Sequence, residues 1–160
     1  MIISGACKTT VAKDSIDWTV LLVIAASLGL GNALQVTGAA RELATGILQY
    51  ADDNPYLALA ATYLATWILT EMITNNAAAV LIFPIAISMA SSFDVSYMPF
   101  VMVIIMAASA SFSTPIGYQT NLMVYGPGGY KFTDFTKIGL PLNLIVAVMT
   151  IVLVPMIWPF

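Results

Sequence analysis

Long charge-free intervals constrain this chain more than any other feature. No Asp, Glu, Lys or Arg stands between Asp17 and Arg41, Asp53 and Glu71, Glu71 and Asp94, Asp94 and Lys131, or after Lys137. A helix that crosses the hydrocarbon core of a bilayer needs about 20 apolar residues at 1.5 Å of rise each, and several of these intervals can hold one. Only 8% of the 160 residues are charged and 60% are hydrophobic, against about 25% charged in soluble domains. Too few charges remain to cover a water-facing surface. The expected class is an all-α, multi-pass membrane protein with lipid as its surroundings.

Whole classes of chemistry drop out. The chain has no His, and Cys7 is its single cysteine. Histidine catalysis, His-ligated or multi-Cys metal sites and an intrachain disulfide are excluded. No pair of carboxylates sits together within an apolar span, so an enzyme is not expected. Cys7 does not mark a lipoprotein signal either: Ser4 stands where an aliphatic residue belongs, and Lys8 and Lys13 follow the cysteine rather than precede it. A dinucleotide fingerprint fails, because Leu34 occupies the place of the third glycine after Gly29 and Gly31. No nucleic-acid partner is expected.

Along the chain, Trp18 marks an interfacial start to an apolar stretch over about 16–50, interrupted near Gly29, Gly31 and Asn32 and again at Gly38. Asp52-Asp53-Asn54-Pro55 is a loop with a strong restart signal. Two apolar arms follow, separated by Thr74-Asn75-Asn76, and Ser91 to Ser96 form the next loop. Pro99 to Ala110 read as a helix. Ser111 to Gly129 are irregular, with Pro115, Gly117 and Gly126 to Gly129 as breakers. Lys131 to Lys137 are polar, and the last apolar span covers about 138–160.

Orientation follows from the basic residues. Lys8 and Lys13 precede the first span and Lys131 and Lys137 the last, while the loops at Asp52-Asp53 and Asp94 contain no Lys or Arg. The basic loops should face the cytoplasm and the acidic loops the outside. This puts the N-terminus inside and the C-terminus outside, with a bacterial inner membrane as the expected location. The segment between the two acidic loops must enter and return. By length, two full spans and a dipping helical hairpin fit equally well; the absence of Lys or Arg at the turn favours the hairpin.

The function is expected where apolar helices break. One cluster is Glu71 with Thr74-Asn75-Asn76. The other runs through Ser111, Ser113, Thr114, Pro115, Gly117, Gln119, Thr120 and Asn121. Non-helical backbone at membrane depth persists only when buried in protein or lining a water-filled cavity. At a helix break, carbonyls at one half-end can ligate a cation and amides at the other can meet an anion. Thr and Asn add neutral oxygens suited to sodium and donors suited to a carboxylate or sulfate. Simpler roles stand beside these: Thr-Asn-Asn as a solvated turn, the Ser, Thr and Gly residues as small-residue helix packing, and Glu71 as an interfacial carboxylate.

At these clusters the sequence resembles the C-terminal half of the divalent anion:sodium symporter family, the dicarboxylate and sulfate permeases. Members carry Thr-Glu-x-x-Ser-Asn-Thr-Ala-x-Ala at a helical hairpin tip, then an aliphatic run and a proline. Here Thr70 and Glu71 precede Thr74-Asn75-Asn76-Ala77-Ala78-Ala79, with Pro84 following. A downstream broken helix in the family reads Pro-x-x-Thr-Pro-Pro-Asn, and here Pro115 to Asn121 stand in its place, with Gly126 beyond. Ile16 to Trp18, Gly126 to Tyr130 and Leu140 to Asn143 are also similar to the bacterial branch. Two departures are visible. Ser-Asn-Thr has become Thr-Asn-Asn, and the Thr-Pro-Pro-Asn element has become Tyr118-Gln119-Thr120-Asn121, keeping only the Asn.

The resemblance implies one inverted-repeat half with a re-entrant hairpin over about 55–92, a broken transmembrane helix over about 97–126, and scaffold spans over about 16–50 and 138–160. It implies substrate contacts from Thr74, Asn75, Asn76, Thr120 and Asn121. It implies sodium as coupling ion, held by Thr74, Asn75, Pro115, Gly117 and Asn121. The function implied is alternating-access transport of a small divalent anion. The other half of the site would come from a first repeat, in the same full-length chain or a separate subunit, and the assembly would be a homodimer. Arsenite and sodium/proton antiporters of the same superfamily have similar tips. The alternative is a non-transporting membrane subunit or truncated remnant whose polar breaks only pack helices.

Overall fold

The computed structural model describes residues 54–160 and isolated positions between 25 and 42. The expected first span over 16–50 lies largely outside the described residues, as do Cys7, Lys8, Lys13 and the Asp52-Asp53 loop. Gly38 has φ +77°, so the interruption expected there is seen, while Gly31 lies outside the described residues. The described residues contain helices and no strand. We label them α1 (Pro55–Met72), α2 (Asn75–Ser92), α3 (Met98–Ser109), α4 (Gln119–Tyr125) and α5 (Phe132–Ile157).

Local chemistry sets these limits. Asn54 caps α1 by accepting from the Tyr56 amide at 2.9 Å, with Pro55 in the first turn, where its missing N–H costs nothing. Thr74 caps α2 by accepting from the Ala77 amide. The two-residue turn Ile73-Thr74 therefore joins α1 to α2, which pack against each other. Helix α2 continues through Pro84, and Asp94, at φ +54°, lies in the loop to α3. Helix α5 begins at Phe132, ahead of the expected 138. The Lys131 amide donates to Asp134 Oδ2 at 2.8 Å, and an acidic residue in a first turn suits the positive end of the helix dipole. Polar residues here belong to the helix rather than to a leader before it.

Helix α3 is central, packing against α1, α2 and α5, while α1 also meets α2 and α5. The closest packing uses small side chains: Ala58, Ala78, Ala86 and Ala107 are wholly buried, around Leu59, Tyr63, Met89, Phe100 and Val103. Large apolar residues point outward instead, among them Leu64, Ile68, Ile105, Ile145, Val148 and Val152. Apolar residues outside and small residues between helices are the arrangement lipid demands. Helices α2 and α5 are long and apolar enough to cross a membrane. Thr62, Thr66 and Thr70 form a buried stripe on α1; Thr62 and Thr66 donate to carbonyls four residues back, so their hydroxyls cost little there.

Ring contacts gather three ends of the bundle. Phe160 stacks edge-on against Tyr56 at the start of α1 (5.0 Å) and Phe100 at the start of α3 (6.0 Å). The entrances to α1 and α3 and the end of α5 therefore share one end of the bundle. Farther along α5, Gly139 lies directly on the backbone of Phe112 and Ser113, where a β-carbon would collide. Gly139→Ala should lower stability by about 1–3 kcal/mol through overpacking. Thermal unfolding of the purified protein in detergent would measure this, with Ile138→Ala, on the exposed face, leaving the transition unchanged.

Candidate functional site

The two polar clusters meet. Helix α1 ends at the hairpin turn and α3 ends at Ser109, and residues 110–118 then run without helix to α4. The Thr70 hydroxyl lies 2.9 Å from Asn75 Oδ1 and 3.0 Å from the Ala108 carbonyl, its one proton serving either. Ser111 Oγ donates to the Thr70 carbonyl (3.4 Å), and Thr114 Oγ1 to the Glu71 carbonyl (3.2 Å). The last turn of α1 and the unwound segment thus satisfy each other's free backbone groups. A helix end and an irregular strand of chain can be buried together only on such terms.

Glu71 is the centre of this network. Its Oε1 accepts from Trp67 Nε1 (3.2 Å), from the Ser113 amide (3.1 Å) and from Asn143 Nδ2 (2.9 Å). Asn143 Nδ2 also donates to Ser113 Oγ at 2.7 Å, and Thr136 Oγ1 to the Ser113 carbonyl at 3.2 Å. One carboxylate oxygen therefore joins the hairpin arm, the unwound segment and the last helix. Asn143 stands near the middle of the 26-residue helix α5, so the hairpin tip is level with that midpoint. Two buried oxygens in this group have no hydrogen-bond partner: Glu71 Oε2 and Asn143 Oδ1.

The expected site residues fall into two sets. Asn75, Pro115, Gly117 and Asn121 belong to the joined region. Asn75 accepts from Thr70, and Pro115 is buried. At Gly117 a β-carbon would collide with Ser111 Oγ and crowd Thr114 Oγ1 and Glu71 Oε2. Asn121 Nδ2 donates to the Ser111 and Thr114 carbonyls, both at 3.0 Å, which holds the unwound segment against α4. Thr74, Asn76 and Thr120 are exposed beside them. Their side chains remain available to something outside the described helices.

Residues 1–159 match the family described as citrate transporter. The chain belongs to the citrate transporter family. It is 43% identical over 159 residues to an uncharacterized transporter of Synechocystis, covering 99% of this chain and 26% of that protein. It is 38% identical over 146 residues to sodium/sulfate cotransporter 2 of Chlamydomonas reinhardtii, covering 90% of the chain and 16% of that protein. Similarity to a sodium-dependent dicarboxylate transporter of Staphylococcus saprophyticus is 26% over 149 residues, covering 93% of the chain and 28% of that protein. The chain thus spans about a quarter of the first of these relatives, as the C-terminal part of longer proteins. The family and these relatives are membrane transporters, not enzymes, and the resemblance expected from the two motifs is borne out.

Sequence reasoning missed three members of the site. Asn143 counted only as part of a motif, and Trp67 and Thr136 drew no attention. A lone Asn in an apolar run, one helical turn from the buried Gly139, was the available signal. Asn121→Asp tests the local geometry: a carboxylate cannot donate to the Ser111 and Thr114 carbonyls. Leaving these unpaired should cost about 1–3 kcal/mol each, read as a lower unfolding temperature in detergent, whereas Asn76→Ala on the exposed face should leave it unchanged.

Proposed function

We propose that the chain is the C-terminal repeat of a sodium-coupled transporter for a small divalent anion, sulfate or a dicarboxylate, working by alternating access. The observation that carries this is the meeting of the Thr74–Asn76 tip with the Ser111–Asn121 segment, level with the middle of α5. A tip at mid-depth of a spanning helix is what a re-entrant hairpin requires, and α3, the unwound segment and α4 then form the broken helix. The shared end of α1, α3 and α5 supports two acidic loops and the C-terminus on one side, outside in this proposal. The names of the sodium/sulfate and sodium-dependent dicarboxylate relatives favour the ion and the anion class.

In this reading the N-terminus of α2 faces the anion. Helix N-termini offer free amides and a positive dipole end, and the exposed Thr74, Asn76 and Thr120 side chains, with Asn75, add neutral donors. Asn121, its amide given to the Ser111 and Thr114 carbonyls, positions the unwound segment for the substrate. Divalent anions of either kind would be met this way. Sodium would be held by oxygens of the tip and the unwound segment, from Thr74, Asn75, Pro115, Gly117 and Asn121. Asn75 Oδ1 faces a Thr hydroxyl that has the Ala108 carbonyl as a second acceptor, so this oxygen can turn to a cation at small cost. A first repeat supplies the rest of the site. The moving unit includes α5, because Asn143 and Thr136 tie it to the unwound segment.

Uptake of labelled sulfate or succinate by the full-length protein in proteoliposomes should require an inward sodium gradient. Equal uptake with sodium and with choline would sink the coupling. Thr74→Ala should weaken the apparent affinity for anion or sodium by about 1–3 kcal/mol, the usual cost of leaving a polar partner unsatisfied. Unchanged affinity for both would remove the tip from the site.

A further inference from the structure

Glu71 and Asn143 are bound to each other, yet each retains a buried oxygen with nothing to accept. Asn143 is 0% exposed. Its nitrogen is placed by its neighbours: turning the amide over would set its oxygen against Glu71 Oε1 and lose both donated bonds. Asn143 Oδ1 therefore stays an acceptor without a donor, and so does Glu71 Oε2. The N–H groups of Trp67, Ser113 and Asn143 are all spent on Oε1 or Ser113.

The surroundings are negative. Helix α1 ends one residue past Glu71, and α3 ends beside it, so two helix C-termini add their partial charge. Lys131 and Lys137, the basic residues of the 54–160 region, are exposed near the start of α5. A buried carboxylate needs a compensating charge in a low-dielectric setting. Two oxygen acceptors, one of them on a carboxylate, with no donor in reach, fit a hard cation. A single carboxylate among neutral oxygens suits a monovalent ion better than the carboxylate-rich cages of calcium. Gly117 presses close, the position of a β-carbon there lying 3.1 Å from Glu71 Oε2, which favours sodium over the larger potassium.

We propose that Glu71 Oε2 and Asn143 Oδ1 ligate a sodium ion at a position of its own, beside the one assigned to the hairpin tip. The ion balances Glu71 and locks α5 to the unwound segment. The proposal rests on the membrane placement above but not on sodium driving transport.

Trp67 donates to Glu71 and serves as a local reporter. Full-length protein in detergent, titrated with sodium chloride against choline chloride at constant ionic strength, should change its tryptophan emission, and Trp67→Phe should remove that component. Potassium should act only at concentrations at least ten-fold higher. Glu71→Gln should raise the half-saturating sodium concentration of this signal at least ten-fold. Asn143→Asp, which keeps an oxygen and adds charge, should leave it equal or lower, and Ile138→Ala, on the exposed face, should not move it. If Glu71→Gln does not fold, the wild-type signal and Asn143→Asp decide. A Trp67 component that ignores sodium, follows pH alone, or keeps its sodium dependence in Glu71→Gln overturns the proposal. Sodium-independent uptake with a sodium-dependent Trp67 signal would overturn the coupling alone; sodium-dependent uptake with a silent Trp67 would overturn this position alone.

Discussion

The acceptance of three hydrogen bonds by one oxygen of Glu71 is the interaction on which the described structure depends. Residues 110–118 have left the helix, and their backbone groups need partners inside the protein. The Ser113 amide finds the Glu71 carboxylate, the Ser111 and Thr114 carbonyls find Asn121, and the Ser113 carbonyl finds Thr136. Hydrogen bonds to a charged group are about twice as strong as neutral ones, and a low-dielectric setting strengthens them further. A carboxylate that would be a liability in an apolar helix is thus what allows the neighbouring chain to unwind.

Packing prepares this junction rather than opposing it. Small residues on α1, α2 and α3 bring backbones close, and the buried threonines of α1 satisfy their own hydroxyls before the stripe reaches Thr70, which bonds across instead. Gly139 removes the last obstacle by letting α5 lie on the backbone of the unwound segment. Many large aliphatic side chains, Ile68, Ile105, Ile145 and Val148 among them, face outward, while Leu59, Val103 and Ile104 pack within the core. The site is held by close backbone approach and polar bonds, as expected where lipid offers no hydrophobic drive between helices.

Much of this was legible in the residues. Hairpin and unwound segment are announced by polar and breaker residues inside apolar runs, a contrast that needs no partner to be seen. The restart signal at Asn54-Pro55 and the apolar run from Pro99 fall within a residue of the helix starts at Pro55 and Met98. Reading Lys131 to Lys137 as a polar stretch ahead of the span lost the first turn and a half of α5, because an amphipathic helix start looks like a loop when only hydropathy is weighed. Glu71 could be read equally as interfacial, and Asn143 was one polar residue in a long apolar run. Their role is set by pairing across 72 positions of chain, which no local pattern encodes.

The same bonds bear on how such a unit could move. Sliding α5 past the hairpin would break the Asn143 bonds to Glu71 and Ser113 and the Thr136 bond to the Ser113 carbonyl together. Hydrogen bonds to charged groups are worth about 1.5–3 kcal/mol each, and a buried acceptor stripped of its donor costs more. A motion that carries hairpin, unwound segment and α5 as one body avoids the whole penalty. In the proposed cycle the sliding surface would be the exposed face of large aliphatic residues such as Ile145 and Val148, where contacts are non-directional and one packing can be exchanged for another at little cost. The polar node sets what must stay together, and the apolar exterior sets where parts can slip.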